Sequence, residues 1–492
     1  MAFDVPARTP VLVGAAAIDD RPSAPPAWSD MAEVPELMSR AVHAAGADSG
    51  QPQLLAAADW VIAMRGMWGY HNPARQVADA IGATGAQSVM ADIGILQTTP
   101  FARAAGAIAA GAIDVAVVCG AEAKFRSLQA AIAGEEETVT DPTAEVAPDQ
   151  HWQPSGDIVH RLEVEKRLVA PVQQYAMIEN AFRARHGQSI ADHRAEIGAL
   201  WTEFNRVAQS NEAAWFGEPR SAAFLTDPSP DNRMLAFPYN KWHTSQWNVN
   251  QGAAFVLCSA EAARAHGVAP DRWIFPWSVA ESNHLRPLIQ RPDVWASPGF
   301  EAALDAVLEH AGCEADALGP LELYSCFPIA VRVQADHLGL GPDRLTCTGG
   351  MAFAGGPLNN FVLQGLAAVV ARLRAGPGGP GLVTAVSGLL TKQGAAVFSA
   401  EPPPRPFESI EVGPPSAPAV AIDADRTGPG QVVSYTVRGD RDGPVDAVVL
   451  VQFADGVRTL ATQTPPDVAA WTSGEPIGRR VEVTDGGVIA TV

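Results

Sequence analysis

The chain has 492 residues, of which 47% are hydrophobic and 18% charged, and a formal net charge of −20. That length supports more than one packed core, and the composition is globular rather than disordered. The acidic balance argues against a general basic surface for nucleic acid and against polybasic attachment to anionic membranes, but leaves room for a local arginine cluster facing a phosphorylated ligand.

In chain order, Thr9 to Ala17 reads as a buried strand, residues 20–29 as a Pro-rich loop, and Met31 to Gly46 as an amphipathic helix. Trp60 to Ala63 is a second strand, followed by an aromatic, Gly-rich loop and a short helix over Arg75 to Ile81. The stretch Val89 to Ala123 then gives strand, tight turn, helix and strand. Its helix is nearly all Ala, Gly and Ile, with Arg103 its one charge, and Val115 to Cys119 is apolar on both faces. The turn Ile93 to Gln97 therefore lies at a helix N-terminus in a protein interior, where α/β proteins often place a reactive group or an anion.

The pattern changes from Phe125 to Asn240. An acidic loop, Glu135 to Pro148, precedes Arg-rich helical segments at Arg161 to Leu168, Val172 to His186 and Ser189 to Gln209, which read as a helical insertion over the sheet. Strand character returns at Gly252 to Cys258, with a helix over Ala260 to His266. A second half, from about Trp273, offers a helix (Phe300 to Ala311), a strand (Leu321 to Phe327), a helix (Ala330 to Leu338), and a turn–helix–turn–strand run over Gly355 to Gly388 that repeats the plan of Val89 to Ala123. Such repetition suggests an internal duplication. Beyond the Pro-rich stretch Glu401 to Ala419 the pattern is purely β. Strands are expected at Gln431 to Arg438, Ala447 to Gln452, Arg458 to Ala461, Arg479 to Thr484 and Val488 to Val492, with hairpin signals at Asp455-Gly456 and Asp485-Gly486-Gly487.

The cysteines at 119, 258, 313, 326 and 347 form no CxxC pair, so no zinc or redox motif is expected and reduced thiols fit a cytoplasmic protein. No metal site is predicted. The N-terminal MAFDVPARTP lacks the order of a secretory signal, and no apolar run is long enough to span a membrane.

Six segments occur together in one order: the turn–helix–strand 93–122, Tyr175-Ala176-Met177, the run Pro238 to Leu257, Tyr324-Ser325-Cys326-Phe327, Gly355-Gly356-Pro357 and Val386-Ser387-Gly388. In this the chain resembles the thiolase superfamily, particularly its SCP2-thiolase-like branch and thiolase-like proteins described as acetyl-CoA acetyltransferases. The resemblance implies an α/β fold: a duplicated, five-layered αβαβα body with a helical loop domain. Residues 1–124 and 241–270 would form the first half, 125–240 the loop domain and 271–400 the second half. A linker over 401–419 would lead to an OB-like β-barrel over 420–492, similar to the OB-fold appendage of thiolase-like proteins and to DUF35 partners. The implied ligand is a coenzyme A thioester, with no covalently bound cofactor, and the state is a monomer or a homodimer formed beside the nucleophile turn.

Working thiolases use a nucleophilic cysteine, a GHP histidine, a CxG cysteine and an asparagine or histidine box that holds the oxyanion. This sequence departs from each. Counting back from Gly111 places the nucleophile position at or beside Gly94, with Thr98 and Thr99 the nearest hydroxyls. Gly356 stands for the histidine, Val386 for the second cysteine, and Tyr324 for the histidine of the box. The catalytic positions implied are thus Gly94, Tyr324, Cys326, Gly356 and His243, with Tyr324 as the acid/base group. Arg161, Lys166, Arg167, Arg183 and Arg185 are expected to hold CoA phosphates, and Met177 and Ser387 to contact CoA. Each also has a plain structural reading: Gly94 and Gly356 as turns, Tyr324 and Cys326 as core, His243 as a satisfied histidine, Asn359 and Asn360 as helix caps. Three activities follow: a thiolase-like acyltransferase acting on a C–C bond without a covalent cysteine intermediate, a Cys-less retro-aldolase of β-hydroxyacyl-CoA, and a non-catalytic acyl-CoA-binding scaffold.

Overall fold

The computed structural model describes residues 3–23, 27–376, 378–464, 468, 470–484 and 489–491. The first half comprises β1 (Pro10–Asp19), α1 (Val34–Asp48), β2 (Trp60–Met64), α2 (Pro73–Ala80), β3 (Gln87–Ala91), α3 (Thr99–Ala109), β4 (Val115–Ala123), α4 (Lys124–Ala133) and β5 (Gln150–Trp152). The insertion carries α5 (Arg161–Glu165), α6 (Pro171–Arg185), α7 (Ile190–Ala208), α8 (Ala222–Thr226), β6 (Met234–Ala236) and β7 (Tyr239–Asn240), and the chain returns through β8 (Asn250–Ser259) and α9 (Ala260–Ala265). The second half has β9 (Phe275–Ser282), α10 (Pro298–Ala311), β10 (Leu321–Glu322), α11 (Pro328–Leu338), α12 (Phe361–Ala375), β11 (Gly381–Ser387) and β12 (Lys392–Ser399). Then follow β13 (Glu408–Glu411), β14 (Gly428–Gly439), β15 (Pro444–Gln452), β16 (Arg458–Gln463), α13 (Ala470–Ser473), β17 (Arg480–Val483) and β18 (Ile489–Thr491).

Two mixed sheets form the body. The first runs β1-β8-β4-β2-β3-β5 and the second β10-β11-β12-β9-β13. The order β1-β8-β4-β2 matches β9-β12-β11-β10, with the same succession of antiparallel, antiparallel and parallel pairings, so the halves share one topology. All nine residues of β4 are buried. Helices α3 and α12 each touch strands of both sheets, while α1 and α10 cover the outer faces. The small side chains of α3, with Ala104 and Ala105 fully buried, let its backbone lie close to both sheets.

Several expectations change. The strand read over Leu321 to Phe327 is only Leu321–Glu322. Leu323 N–H turns to Leu345 O and Tyr324 N–H to Thr384 Oγ1, taking the Tyr324 segment off the sheet. β9 and β12 are central strands that alternation did not flag. The Pro-rich stretch 401–419 contains β13, which pairs in parallel with β9. β5, beyond the acidic loop, pairs with the free edge of β3. The Asp455-Gly456 turn joins β15 and β16, whereas the Asp485-Gly486-Gly487 signal lies outside the described residues.

The C-terminal unit is β-rich, an antiparallel run β16-β15-β14-β17-β18 that the insertion's β6 and β7 join by way of β14. Its own core packs Val432, Tyr435, Val437, Val449 and Trp471 against Phe237 of the insertion. Helix α6 lies between this unit and the body, and every residue from Gln174 to Arg183 is buried. Asn180 Nδ2 donates to Phe237 O and Tyr435 O, both at 3.0 Å, and Ser434 Oγ donates to Met177 O at 2.6 Å.

On the body side of α6, the fully buried Glu179 accepts from Tyr239 Oη at 2.7 Å, meets His193 Nε2 at 3.0 Å and pairs with Arg332 of α11. Burial raises the Glu179 carboxyl, but Arg332, His193 and Tyr239 outweigh it and hold it down at about 2. This group therefore stabilises the fold above its ordinary value of 4.5, by roughly 3 kcal/mol, and the contribution is lost as pH falls through about 2. Glu179→Gln is expected to cost about 3 kcal/mol or more in urea unfolding at neutral pH, because it leaves Arg332 buried and undercompensated. The cost should shrink in strong acid; a variant as stable as the parent at neutral pH would contradict the assignment.

Candidate functional site

The turn before α3 is set by Pro100, which occupies the first turn of the helix and starts it at Thr99. Gly94 precedes that start by a full turn and has φ of 104°. A Cβ built there would lie 2.7 Å from Pro154 Cγ, so Pro154 fills the space that a nucleophile would take. A Cβ at Gly356 would likewise meet Ser245 Cβ at 3.0 Å, so neither catalytic position has space for a side chain and both fit the turn reading.

Gln97, 3% exposed, is a side chain of this turn that faces the opposite half. Its Nε2 donates to Asn359 Oδ1 at 3.1 Å, and its amide lies beside the Tyr324 hydroxyl. Asn359 Nδ2 in turn donates to Arg65 O at 3.1 Å. Asn360 is 2% exposed and its side-chain nitrogen and oxygen have no partner among the described residues. These asparagines were expected to cap the helix; neither side chain caps it, and Asn359 ties the two halves together. Tyr324 also adjoins Cys326, whose thiol hydrogen-bonds Tyr175, and Tyr175 stacks on Phe327 with ring centroids 4.4 Å apart.

The interior favours neutral groups. Burial raises the Tyr324 hydroxyl, with Cys326 adding to it, and pushes the Cys326 thiol up to about 12. At neutral pH this thiol is no nucleophile. Cys326 lies past the end of β10, not in a strand. His243 is sealed away from the site. Its Nδ1 accepts from Asn240 N–H at 3.2 Å, its Nε2 donates to Leu225 O at 2.6 Å, and burial pulls it down to about 4. Both ring nitrogens are committed, which fits its reading as a satisfied histidine rather than a catalytic position.

The predicted CoA residues are scattered. Arg161 is exposed and pairs with Glu165 within α5. Arg183, 1% exposed, pairs with Glu475 of the C-terminal unit, and Met177 is buried under Ser434. The carbonyls of Lys166 and Arg167 accept from Arg438 Nη1 at 3.2 and 3.1 Å. Ser387 ends β11 opposite Lys392. Arg185 lies over the Trp295 ring at 5.2 Å. The C-terminal unit thus takes up the Arg183 side chain and the Lys166 and Arg167 carbonyls, and these basic side chains do not converge.

Sequence reasoning missed Gln97, Arg65 and Lys392. Gln97 is the only amide in an apolar turn, directly before Thr98, Thr99 and Pro100. Lys392 is the only charge between Arg374 and Glu401. Its Nζ donates to Gly94 O at 2.9 Å, pinning the turn, and burial lowers its pKa. Thr98 and Thr99 donate to Glu281 at 2.5 and 2.9 Å, and burial raises the Glu281 carboxyl. Over the turn lies an open hollow of about 430 Å³, lined by Arg65, Asp92, Ile93, Gln153 and Pro154.

The C-terminal segment 412–488 matches the family model of the thiolase-like protein type 1 additional C-terminal domain. No curated protein matches the chain. Among solved structures, a monomeric SCP2-thiolase-like protein type 1 from Mycobacterium smegmatis is 30% identical over 99% of this chain and 100% of its own, with a TM-score of 0.82. Likeness of fold alone extends to an Ltp2–ChsH2(DUF35) aldolase, at 19% identity, 80% and 98% coverage and a TM-score of 0.58. It extends also to the dimeric peroxisomal thiolase of Saccharomyces cerevisiae, at 13% identity, 81% and 99% coverage and a TM-score of 0.57. The chain belongs to the SCP2-thiolase-like protein type 1 family.

Proposed function

We propose that this protein binds an acyl thioester of coenzyme A between its two halves without forming a covalent acyl-enzyme. The observation that carries this reading is the buried Gln97–Tyr324–Asn359 contact, where neutral donors from both halves meet and no ionisable thiol stands. An amide and a phenol in an enclosed site favour a carbonyl oxygen and the partial charge it gains as an enolate. The hollow lined by Arg65 and Gln153 offers the rest of the ligand a way out, since Arg65 also holds Asn359 through its carbonyl. The OB-like character of the C-terminal unit belongs to the same reading. It serves there as a clamp on α6 rather than a nucleic-acid platform.

A second reading, retro-aldol cleavage of a β-hydroxyacyl-CoA, is favoured by Tyr324. Its hydroxyl stays protonated by burial and lies beside the Gln97 amide, so it suits proton exchange with an alkoxide or enolate. Calorimetric titration of the full chain with acetyl-CoA, acetoacetyl-CoA and β-hydroxyacyl-CoAs, with products followed by mass spectrometry, tests both. Binding is expected, weakened about tenfold by Gln97→Ala and by Tyr324→Phe through loss of a buried hydrogen bond. Release of aldehyde or ketone, abolished in Tyr324→Phe, would establish the aldolase reading. Absence of binding to any thioester would overturn both.

The edge of β3, beside the turn where thiolases dimerise, is covered by β5 through Val89↔Gln150, Met90↔His151 and Ala91↔Trp152. A covered edge cannot pair with a second chain. With the monomeric relative from M. smegmatis, this supports a monomer. Sedimentation equilibrium is expected to return the mass of one chain; a dimer mass would refute it.

A further inference from the structure

A cavity of about 300 Å³ lies apart from the Gln97–Tyr324 contact, between the start of α10, the turn after β11 and the Pro-rich segment. Arg291, 7% exposed, lines it. Its Nε and Nη2 donate to the carbonyls of Arg286 and Leu389 at 3.3 and 2.8 Å, and Nη1 has no recorded partner among the described residues. Arg286 lines the same space and has no ion-pair partner among the described residues. Burial lowers Arg291, to about 10, against the opposing pull of Tyr175 and Glu163, and Arg286 lowers it a little further. Two cations held in one cavity are stabilised by an anion between them.

The start of α10 points the same way. Ser297 makes no side-chain cap to its own helix and instead meets Gln393 Nε2 at 3.4 Å. Pro298 has no N–H, and Phe300 and Glu301 N–H donate to Ser297 O at 2.8 and 3.2 Å, so the Gly299 N–H is the amide left for a ligand at this end of the 14-residue helix. The acids that line the cavity sit elsewhere. Asp293 is exposed and interacts with Arg458, and Glu301 is half-buried in the first turn of α10. Of the charged lining residues Arg286, Arg291, Asp293 and Glu301, Arg291 is the buried one. Trp295, Leu390 and Pro415 supply apolar wall.

We infer that this cavity binds the anionic head, carboxylate or phosphate, of a small organic ligand, held between Arg286, Arg291 and the N-terminus of α10. The inference is independent of the acyl-thioester reading, since no residue of the Gln97–Tyr324–Asn359 contact lines the cavity.

Calorimetric titration of the full chain with butyrate, succinate, inorganic phosphate and glycerol phosphate tests it. At least one probe is expected to bind, and Arg286→Glu is expected to weaken it by at least about tenfold, the loss of a charge-assisted contact plus a repulsion. The Arg286 side chain makes no recorded backbone bond, so the variant should keep the parent's melting temperature, which separates lost binding from lost folding. Binding by the carboxylates alone assigns a carboxylate ligand, and binding by the phosphates alone a phosphate ligand. Failure of all four probes at millimolar concentration, or binding unchanged in a folded Arg286→Glu, would overturn the inference.

Discussion

Burial of α6 around its whole circumference governs this molecule. Ten consecutive residues, Gln174 to Arg183, are out of solvent, although several are polar or charged. A helix in that position is stable only if each polar group finds a partner on whichever side it faces. Toward the body, Glu179 meets Arg332, His193 and Tyr239. Toward the C-terminal sheet, Arg183 meets Glu475, Asn180 meets two carbonyls, and the Met177 carbonyl accepts from Ser434. Insertion, second half and C-terminal unit are therefore interdependent through one helix, with β6 extending the C-terminal sheet from the insertion side.

The same arrangement decides what chemistry the interior supports. An arginine used to dock a domain is not available to a phosphate, and Arg183 is taken up in this way by Glu475. Low polarity between the halves then keeps thiol and phenol neutral. Pro154, delivered by the strand that also covers the β3 edge, closes the position where a nucleophile would stand. One short segment, Gln150 to Pro154, thus links the covered β3 edge with the loss of nucleophile space.

The body was legible in the sequence because its signals are local. β4 is apolar on both faces, α3 is built from small residues, and the run from Gly355 to Gly388 repeats the plan of Val89 to Ala123. What escaped depends on distant partners. β5 and β13 are three and four residues long and exist only because a sheet edge lies beside them. Arg183 reads as one of several exposed cations until the C-terminal sheet is placed upon it. Gln97 was hidden by a count that ended at Gly94. Pro100, which fixes the helix start, was the local sign that the interior-facing position lies later in the turn.

The central claim is that a thiolase fold here retains an acyl site and has no thiolate in it. Intact-protein mass spectrometry after incubation with acetyl-CoA addresses it most directly. The predicted spectrum is that of the unmodified chain, with CoA still acylated. A stable mass increase of one acetyl group, mapped to Cys326 or to any other side chain between the halves, would contradict the account.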